Sequence, residues 1–552
     1  MSQLTRRQFI TRTPLAAVGA LTLAGTRFGA AQAAEIIVET AFGKLRGLRE
    51  NGVSIFKGIP YGGQVSGDRR WCAPAPLAPW PGIRNALLLG NPAYQGQHST
   101  YGLNEPEPAE ECLVLNVWTP ACDSSKRPVM FYNHGGGYTS GSGGSVAQDG
   151  ANLARLFDVV VVQTNHRLGL FGFLYLDELG GEEYAGSGSR GLLDIVEGLQ
   201  WVHESIALFG GDPDNVMIFG ESGGGAKSSC LYGMPAAAPY FNKASIESGP
   251  GVRMATREDG AETTRMLLRD LKIAPAGWRK LLEVPAAELL AAQGRLQVLA
   301  GMNGTRRGIG MGTARPGEFG PVVDGRILPA HPFDPSAPAI SRDKPLMVGW
   351  NEDEYTFFGM VSNDTAAFKL DEADLMKRLE VEFGTDARKI YTVYRRTRPQ
   401  ASPSDLHVAI QSMLFGGLGS IRIAEKKAEQ NGAPAWLYNF GYKSEYRIPG
   451  TGYAFGCGHA MDIQFKFANV AEPPPGEREK GWPGNRPERF AAMHTMAGLW
   501  TRFARTGTPA VAGQPEWLPY TLPDRPTYRI DSRCAVLLDR DKEEREMWEA
   551  IV

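Results

Sequence analysis

Ser222 lies in Phe219-Gly220-Glu221-Ser222-Gly223-Gly224-Gly225, a Gly-x-Ser-x-Gly pattern. The residues before it, Val216-Met217-Ile218-Phe219, read as a buried strand. Gly223 to Met234 read as a helix that ends before Pro235. A strand that turns sharply into a helix at a serine lifts Oγ to the top of a sheet, where a substrate reaches it. The glycines fit because a Cβ would clash in so tight a turn. Glycine and serine also fill ordinary loops, so the flanking strand and helix carry the reading of Ser222 as a nucleophile.

A serine hydroxyl needs a base to take its proton, an acid to orient that base, and donors for an oxyanion. His134-Gly135-Gly136-Gly137 follows a strand ending at Tyr132 and Asn133. Its backbone amides are candidate donors, with the amide of Gly223 beside the nucleophile. Eight histidines compete as base. His459, in the loop Gly456-Cys457-Gly458-His459-Ala460-Met461-Asp462-Ile463, follows the apolar segment Ala435 to Phe440 and is placed to reach a sheet edge. His134, His166, His203 and His494 read equally well as structural. Glu354 follows the strand Leu346-Met347-Val348-Gly349 as candidate acid, with Glu352 and Asp353 as rivals.

These groups must converge at the carboxyl ends of strands, where open α/β sheets bind ligands. Val129 to Tyr132 is a short strand, and Val159-Val160-Val161-Val162 is apolar throughout, as in a parallel strand covered on both faces. Leu192, Val196, Leu199, Val202, Ile206 and Phe209 make one helical face, stopped by Gly210-Gly211-Asp212-Pro213. The order strand, helix, strand predicts a doubly wound sheet. Residues 35–60 read as antiparallel strands. Residues 255–320 and 365–432 are helix-rich and predicted to cover the sheet. With no repeat and no linker, 34–552 reads as a single domain.

The N-terminus predicts export. Thr5-Arg6-Arg7-Gln8-Phe9-Ile10 is a twin-arginine pattern, followed by an apolar run from Pro14 to Gly25 and a cleavage site at Ala31-Gln32-Ala33. Residues 1–33 are thus expected to be a signal peptide, and the destination periplasmic or secreted. Their removal takes four arginines from a chain of net charge −2, leaving −6. No basic patch stands out, so nucleic acid is not an expected partner. No later segment reads as a membrane helix, so membrane insertion is not expected either. None of the six cysteines (Cys72, Cys112, Cys122, Cys230, Cys457, Cys534) has C-x-x-C spacing, which argues against zinc or a redox dithiol. A Cys72–Cys112 bridge, worth roughly 4 kcal/mol by loop entropy, stands against six buried thiols.

Two other motifs lead nowhere. Gly186-Ser187-Gly188-Ser189-Arg190-Gly191 matches G-x-G-x-x-G, but no strand precedes it. Gly225-Ala226-Lys227-Ser228 approaches a phosphate-binding loop, but Ala226 separates glycine from lysine.

Together these residues resemble the type-B carboxylesterases, the cholinesterase-like branch of the α/β-hydrolases. The likeness runs through Phe56-Lys57-Gly58-Ile59-Pro60-Tyr61, Glu111-Cys112-Leu113-Val114-Leu115-Asn116-Val117, Asn165-His166-Arg167-Leu168-Gly169, Phe209 to Pro213, Glu247-Ser248-Gly249, Pro321 to Gly325 and Phe503 to Pro509. The resemblance implies an α/β-hydrolase fold, with a large, mostly parallel sheet and helices on both faces. It implies Glu354 as acid, within Gly349-Trp350-Asn351-Glu352-Asp353-Glu354, and His459 as base. It implies Gly136, Gly137 and Gly223 as oxyanion donors, supported by Gly135, and a contact of Ser248 with the acid. The chain departs from the family in four ways. Tyr355 stands where glycine is usual after the acid, and Gly223 where alanine is usual. The disulfide partner of Cys112 would fall near Ala93 and Tyr94, neither a cysteine. The tryptophan that cholinesterases place against a quaternary ammonium is missing.

The expectation is a serine carboxylesterase working through an acyl-enzyme on a small-molecule ester, with no metal or organic cofactor. An amidase, lactonase or carbamate hydrolase would share the machinery, since pocket and leaving group separate them. A non-catalytic binding module is the reading from a different class, and intact Ser222, His459 and Glu354 argue against it.

Overall fold

The computed structural model describes residues 34–96, 105–302, 315–472 and 481–552. The expected signal peptide, residues 1–33, lies outside the described residues. A 13-stranded sheet dominates the molecule. Its strands are β1 (Ala34–Thr40), β2 (Gly43–Glu50), β3 (Val53–Pro60), β4 (Ile83–Asn85), β5 (Val114–Thr119), β6 (Arg127–Asn133), β7 (Val160–Thr164), β8 (Gly211–Glu221), β9 (Lys243–Glu247), β10 (Leu346–Asn351), β11 (Ala435–Phe440), β14 (Pro526–Ile530) and β15 (Ala535–Leu538). The short β12 (Ser444–Arg447) and β13 (Ala454–Gly456) form a separate pair. The order is β1-β2-β3-β5-β7-β6-β8-β9-β10-β11-β14-β15, with β4 on β2. From β7 through β14 every pairing is parallel; the flanking pairings along this order are antiparallel.

The apolar runs of the sequence become the parallel core because both faces are covered. Val129 and Phe131 pack into one hydrophobic cluster, Met130 and Tyr132 into the other. This is the two-residue alternation of a strand. Helix Arg190–Ser205 covers the first face through Leu192, Ile195, Leu199 and Val202. Helix Glu488–Thr506 covers the second through Met496, Trp500 and Phe503. The predicted helical face to Phe209 is α-helical only to Ser205; Ile206–Phe209 tightens to a 3-10 turn, and Gly210 ends it at φ 78°. The strand before Ser222 is longer than the apolar pattern suggested. Gly211 already pairs with Arg127, across an irregularity in register.

Helices occupy both predicted covering stretches, among them Arg257–Asp270 and Ala286–Met302 in the first and Glu372–Phe383 and Ala387–Thr397 in the second. The expectation that no later segment reads as a membrane helix needs correction by length and composition. The run Pro403–Glu429 is continuous, because a π-helical segment at Met413–Gly417 joins its two α-helical parts. By length and composition alone it could cross a membrane, yet 78% of its apolar window is buried inside the protein.

Register sets the ends of the strands level. Asn133 pairs with Gly220, Glu221 with Glu247, Glu247 with Gly349, and Asn351 with Phe440. The loops after β6, β8, β9, β10 and β11 therefore leave from one edge.

Candidate active site

Ser222 sits between β8 and helix Gly223–Gly233 at φ 58°, ψ −125°, a backbone conformation that a side-chain-bearing residue adopts only under constraint. Its N–H donates to the Glu247 carbonyl at 2.8 Å, tying the turn to β9. The turn is tight enough to require glycine. A Cβ on Gly224 would lie 1.9 Å from the Asn133 carbonyl oxygen. The unusual Gly223 has a local reason, since a Cβ there would lie 2.2 Å from the Gly137 carbonyl oxygen.

The oxyanion candidates gather beside this turn. Gly136 and Gly137 have φ of 87° and 63°. Ser140 holds the Gly136 carbonyl through its N–H (3.1 Å) and its hydroxyl (3.0 Å). Among the described residues, the N–H groups of Gly136, Gly137 and Gly223 donate to no protein acceptor.

Glu354 begins helix Tyr355–Val361 just beyond β10 and is fully buried. Its Oε1 accepts the Asn351 N–H at 2.7 Å, and its Oε2 accepts from His459 Nδ1 at 2.6 Å. Ser248 Oγ, also buried, faces this carboxylate without good hydrogen-bond geometry. The rivals are committed elsewhere. Glu352 is held at about 2, because Lys443, Arg529 and Arg540 outweigh the cost of its burial. Asp353 splints the histidine loop, accepting the Cys457 N–H at 2.8 Å and donating its own N–H to the Cys457 carbonyl at 3.0 Å.

The His459 ring is boxed by Phe358, Phe415 and Phe357 at centroid distances of 4.8, 4.9 and 5.6 Å. A second carboxylate approaches it. Glu221 Oε1 lies 3.3 Å from Nδ1, so the imidazole stands against the immediate neighbour of Ser222. Burial pushes Glu221 up to about 8, and neither of its oxygens has a hydrogen-bond partner. Burial pulls His459 down, but Glu221 and Glu354 together outweigh it and raise the imidazole to about 9. Burial likewise leaves Glu354 raised, against the pull of His459.

Beneath lies a charged network. Lys466, fully buried, donates to Glu247 and, at 2.6 Å, to Asp462. Asn351 Nδ2 donates to Asp462 (3.0 Å) and to the Gly458 carbonyl (2.9 Å), linking the acid strand to the histidine loop. Trp500 Nε1 caps Glu247. The reading of the sequence singled out neither Lys466 nor Asn351. The spacing of Asp462 and Lys466, four apart on a helix, was the available signal.

Four other histidines have other surroundings. His134 and His166 stack at 4.8 Å, His203 packs on Tyr240, and His407 on the ring of Tyr355. Tyr355, where the family has glycine, donates its hydroxyl to Asp364 at 3.0 Å. All six cysteines are free thiols, so the Cys72–Cys112 bridge is not formed. Among the described residues no cluster of His, Cys, Asp or Glu could hold a metal ion.

Proteins of similar sequence and similar fold are esterases. Residues 34–548 match the model of the carboxylesterase family. A para-nitrobenzyl esterase of Bacillus subtilis is 34% identical, over 92% of this chain and 98% of its own. A liver carboxylesterase of Sus scrofa is 30% identical, over 88% and 87%. The crystal structure of a carboxylesterase of Geobacillus stearothermophilus superimposes with a TM-score of 0.78 at 36% identity, covering 93% of this chain and 99% of that one.

Proposed function

The chain belongs to the carboxylesterase family, has its α/β-hydrolase fold and is a carboxylic ester hydrolase; from this premise we propose that Ser222, His459 and Glu354 form its catalytic triad and that Gly136, Gly137 and Gly223 bind the oxyanion. The observation that carries the reading is the 2.6 Å contact of His459 Nδ1 with Glu354, at the sheet edge from which Ser222 rises.

The Nδ1–H donated to Glu354 leaves Nε2 as the basic nitrogen. Ser222 Oγ attacks the ester carbonyl carbon while its proton passes to Nε2. Negative charge collects on the carbonyl oxygen, where the free amides of the glycine turn and Gly223 receive it. The carbon–oxygen bond to the alcohol breaks, and the alcohol leaves with the proton from Nε2. Water then attacks the acyl-enzyme, gives its proton to Nε2, and Ser222 Oγ departs with that proton as the carboxylic acid is released. Glu354 keeps the tautomer and stabilises the imidazolium in both halves.

Ser222→Ala should lower kcat on the order of 10⁶-fold and abolish labelling by a fluorophosphonate. Near-normal ester hydrolysis by that variant would refute the assignment. The twin-arginine pattern further supports export of the folded enzyme to the periplasm or medium. Cell fractionation tests this: Arg6→Lys/Arg7→Lys should trap activity in the cytoplasm, and unchanged export would exclude this route.

A further inference from the structure

The helix that follows Ser222 carries an ammonium group deep in the core. Lys227 is fully buried, five residues past the nucleophile. Among the described residues no carboxylate pairs with it, and its Nζ donates one hydrogen bond, 3.0 Å, to the His134 carbonyl. The titratable groups facing it are the stacked imidazoles of His134 and His166. Each donates Nδ1–H to a backbone carbonyl, Gly135 at 2.8 Å and Arg167 at 2.9 Å, leaving a buried Nε2 acceptor with no protein partner. Burial and the ammonium hold both imidazoles neutral. Burial alone pulls Lys227 down to about 7.

Holding a charge there without a counterion is expensive, which is why burial brings the Lys227 ammonium close to losing its proton near neutral pH. Its position suggests what offsets that cost. His134 opens the turn Gly135–Gly137. The start of the same helix presses on this turn: a Cβ on Gly224 would meet the carbonyl oxygens of Asn133 and His134, at 1.9 and 3.1 Å. Asn133 Nδ2 donates to Ser228 Oγ at 3.0 Å, one residue beyond Lys227. The helix therefore contacts Asn133 and His134 from several positions, and Gly137 through Gly223. Lys227 supplies the charged contact.

We propose that Lys227 is a positioning residue of the oxyanion hole: it fixes the His134 carbonyl, and through it the orientation of the Gly136 and Gly137 amides, and the negative charge it lacks in the resting enzyme is the oxyanion of the transition state. Such an interaction exists only when charge develops on the substrate, so it raises kcat rather than lowering KM. The proposal rests on the assignment of Ser222, which Ser222→Ala tests separately.

Lys227→Met keeps length and burial but removes the hydrogen bond and the charge. Its kcat should fall about 10- to 100-fold with KM within about threefold. The inhibition constant of a trifluoromethyl ketone, which adds to serine and places an oxyanion in the hole, should rise by the same factor. The Tm should hold or rise, because an unpaired buried charge is gone; a purely structural lysine predicts a lower Tm with ketone affinity kept. Wild-type kcat and ketone affinity in the variant would overturn the proposal. If the variant does not fold, the wild-type enzyme decides. With its lysines ¹⁵N-labelled, the Lys227 Nζ resonance should shift when the ketone binds, and an unmoved resonance would overturn the proposal.

Discussion

At the scale of single residues, the site is a contest between burial and charge. Burial favours a neutral His459, and the carboxylates of Glu221 and Glu354 favour the cation, which wins by raising the imidazole to about 9. With His459 as the proposed base, hydrolysis needs the neutral imidazole, so activity should fall as pH drops through that value. The acid limb of kcat/KM should therefore lie above the ordinary histidine value of about 6.5. Because Glu221 and His459 titrate together, the limb belongs to the pair. Glu221→Gln removes one carboxylate and should move the limb to lower pH; a pH–rate profile that stays in place would show that Glu221 does not act on the imidazole. Glu354→Gln tests the other partner. It keeps the shape but cannot hold the Nδ1–H tautomer, so kcat should fall on the order of 10³- to 10⁴-fold with the fold intact. A loss below tenfold, by steady-state kinetics, would return the role to another acid. Ser222 and the glycine turn were legible because short-range geometry dictates their residue types. Glu354 was not separable from Glu352 and Asp353 by spacing. The 2.6 Å contact with His459 singles out Glu354, while three cations hold Glu352 and the Cys457 amide holds Asp353, and those contacts come from distant parts of the chain.

At the scale of elements, parallel strands level the ends and buried polar ties set what the loops do there. The strands were legible as apolar runs, since both faces are covered. The long helix Pro403–Glu429 was not, because Gly416 and Gly417 look like a break; tertiary packing against Trp350 and the acid strand overrides that propensity. Its π-helical segment brings Phe415 onto the His459 ring. The tie below the site is Lys466, which joins helix Met461–Lys466 to β9 through Glu247. The contact of Lys466 with Glu247 joins residues far apart in the chain and leaves no periodic trace in the sequence. Lys466→Met would leave Glu247 and Asp462 facing each other without a cation. That should cost about 3–5 kcal/mol of stability, read as a lower urea midpoint. A midpoint equal to wild type would mean that the lysine is replaceable by packing alone.

At the scale of the whole molecule, stability comes from the two hydrophobic clusters that sandwich the sheet, without covalent help. All six cysteines are thiols. The family position that would pair with Cys112 falls near Ala93 and Tyr94, and Cys112 packs in the first cluster, its thiol pushed well up by burial. Cys230 and Cys457 are raised the same way, and Cys122 is raised to about 11. Thiols so far above neutrality hold little thiolate, which is the reactive form. On the export route proposed above, the chain would fold in the reducing cytoplasm, which opposes such a bond. The enzyme purified without reductant should therefore release six titratable thiols per chain in guanidinium, and reductant should leave its Tm unchanged. Four thiols, with a Tm that drops on reduction, would mean that a bridge forms after all and that part of the fold is stabilised covalently.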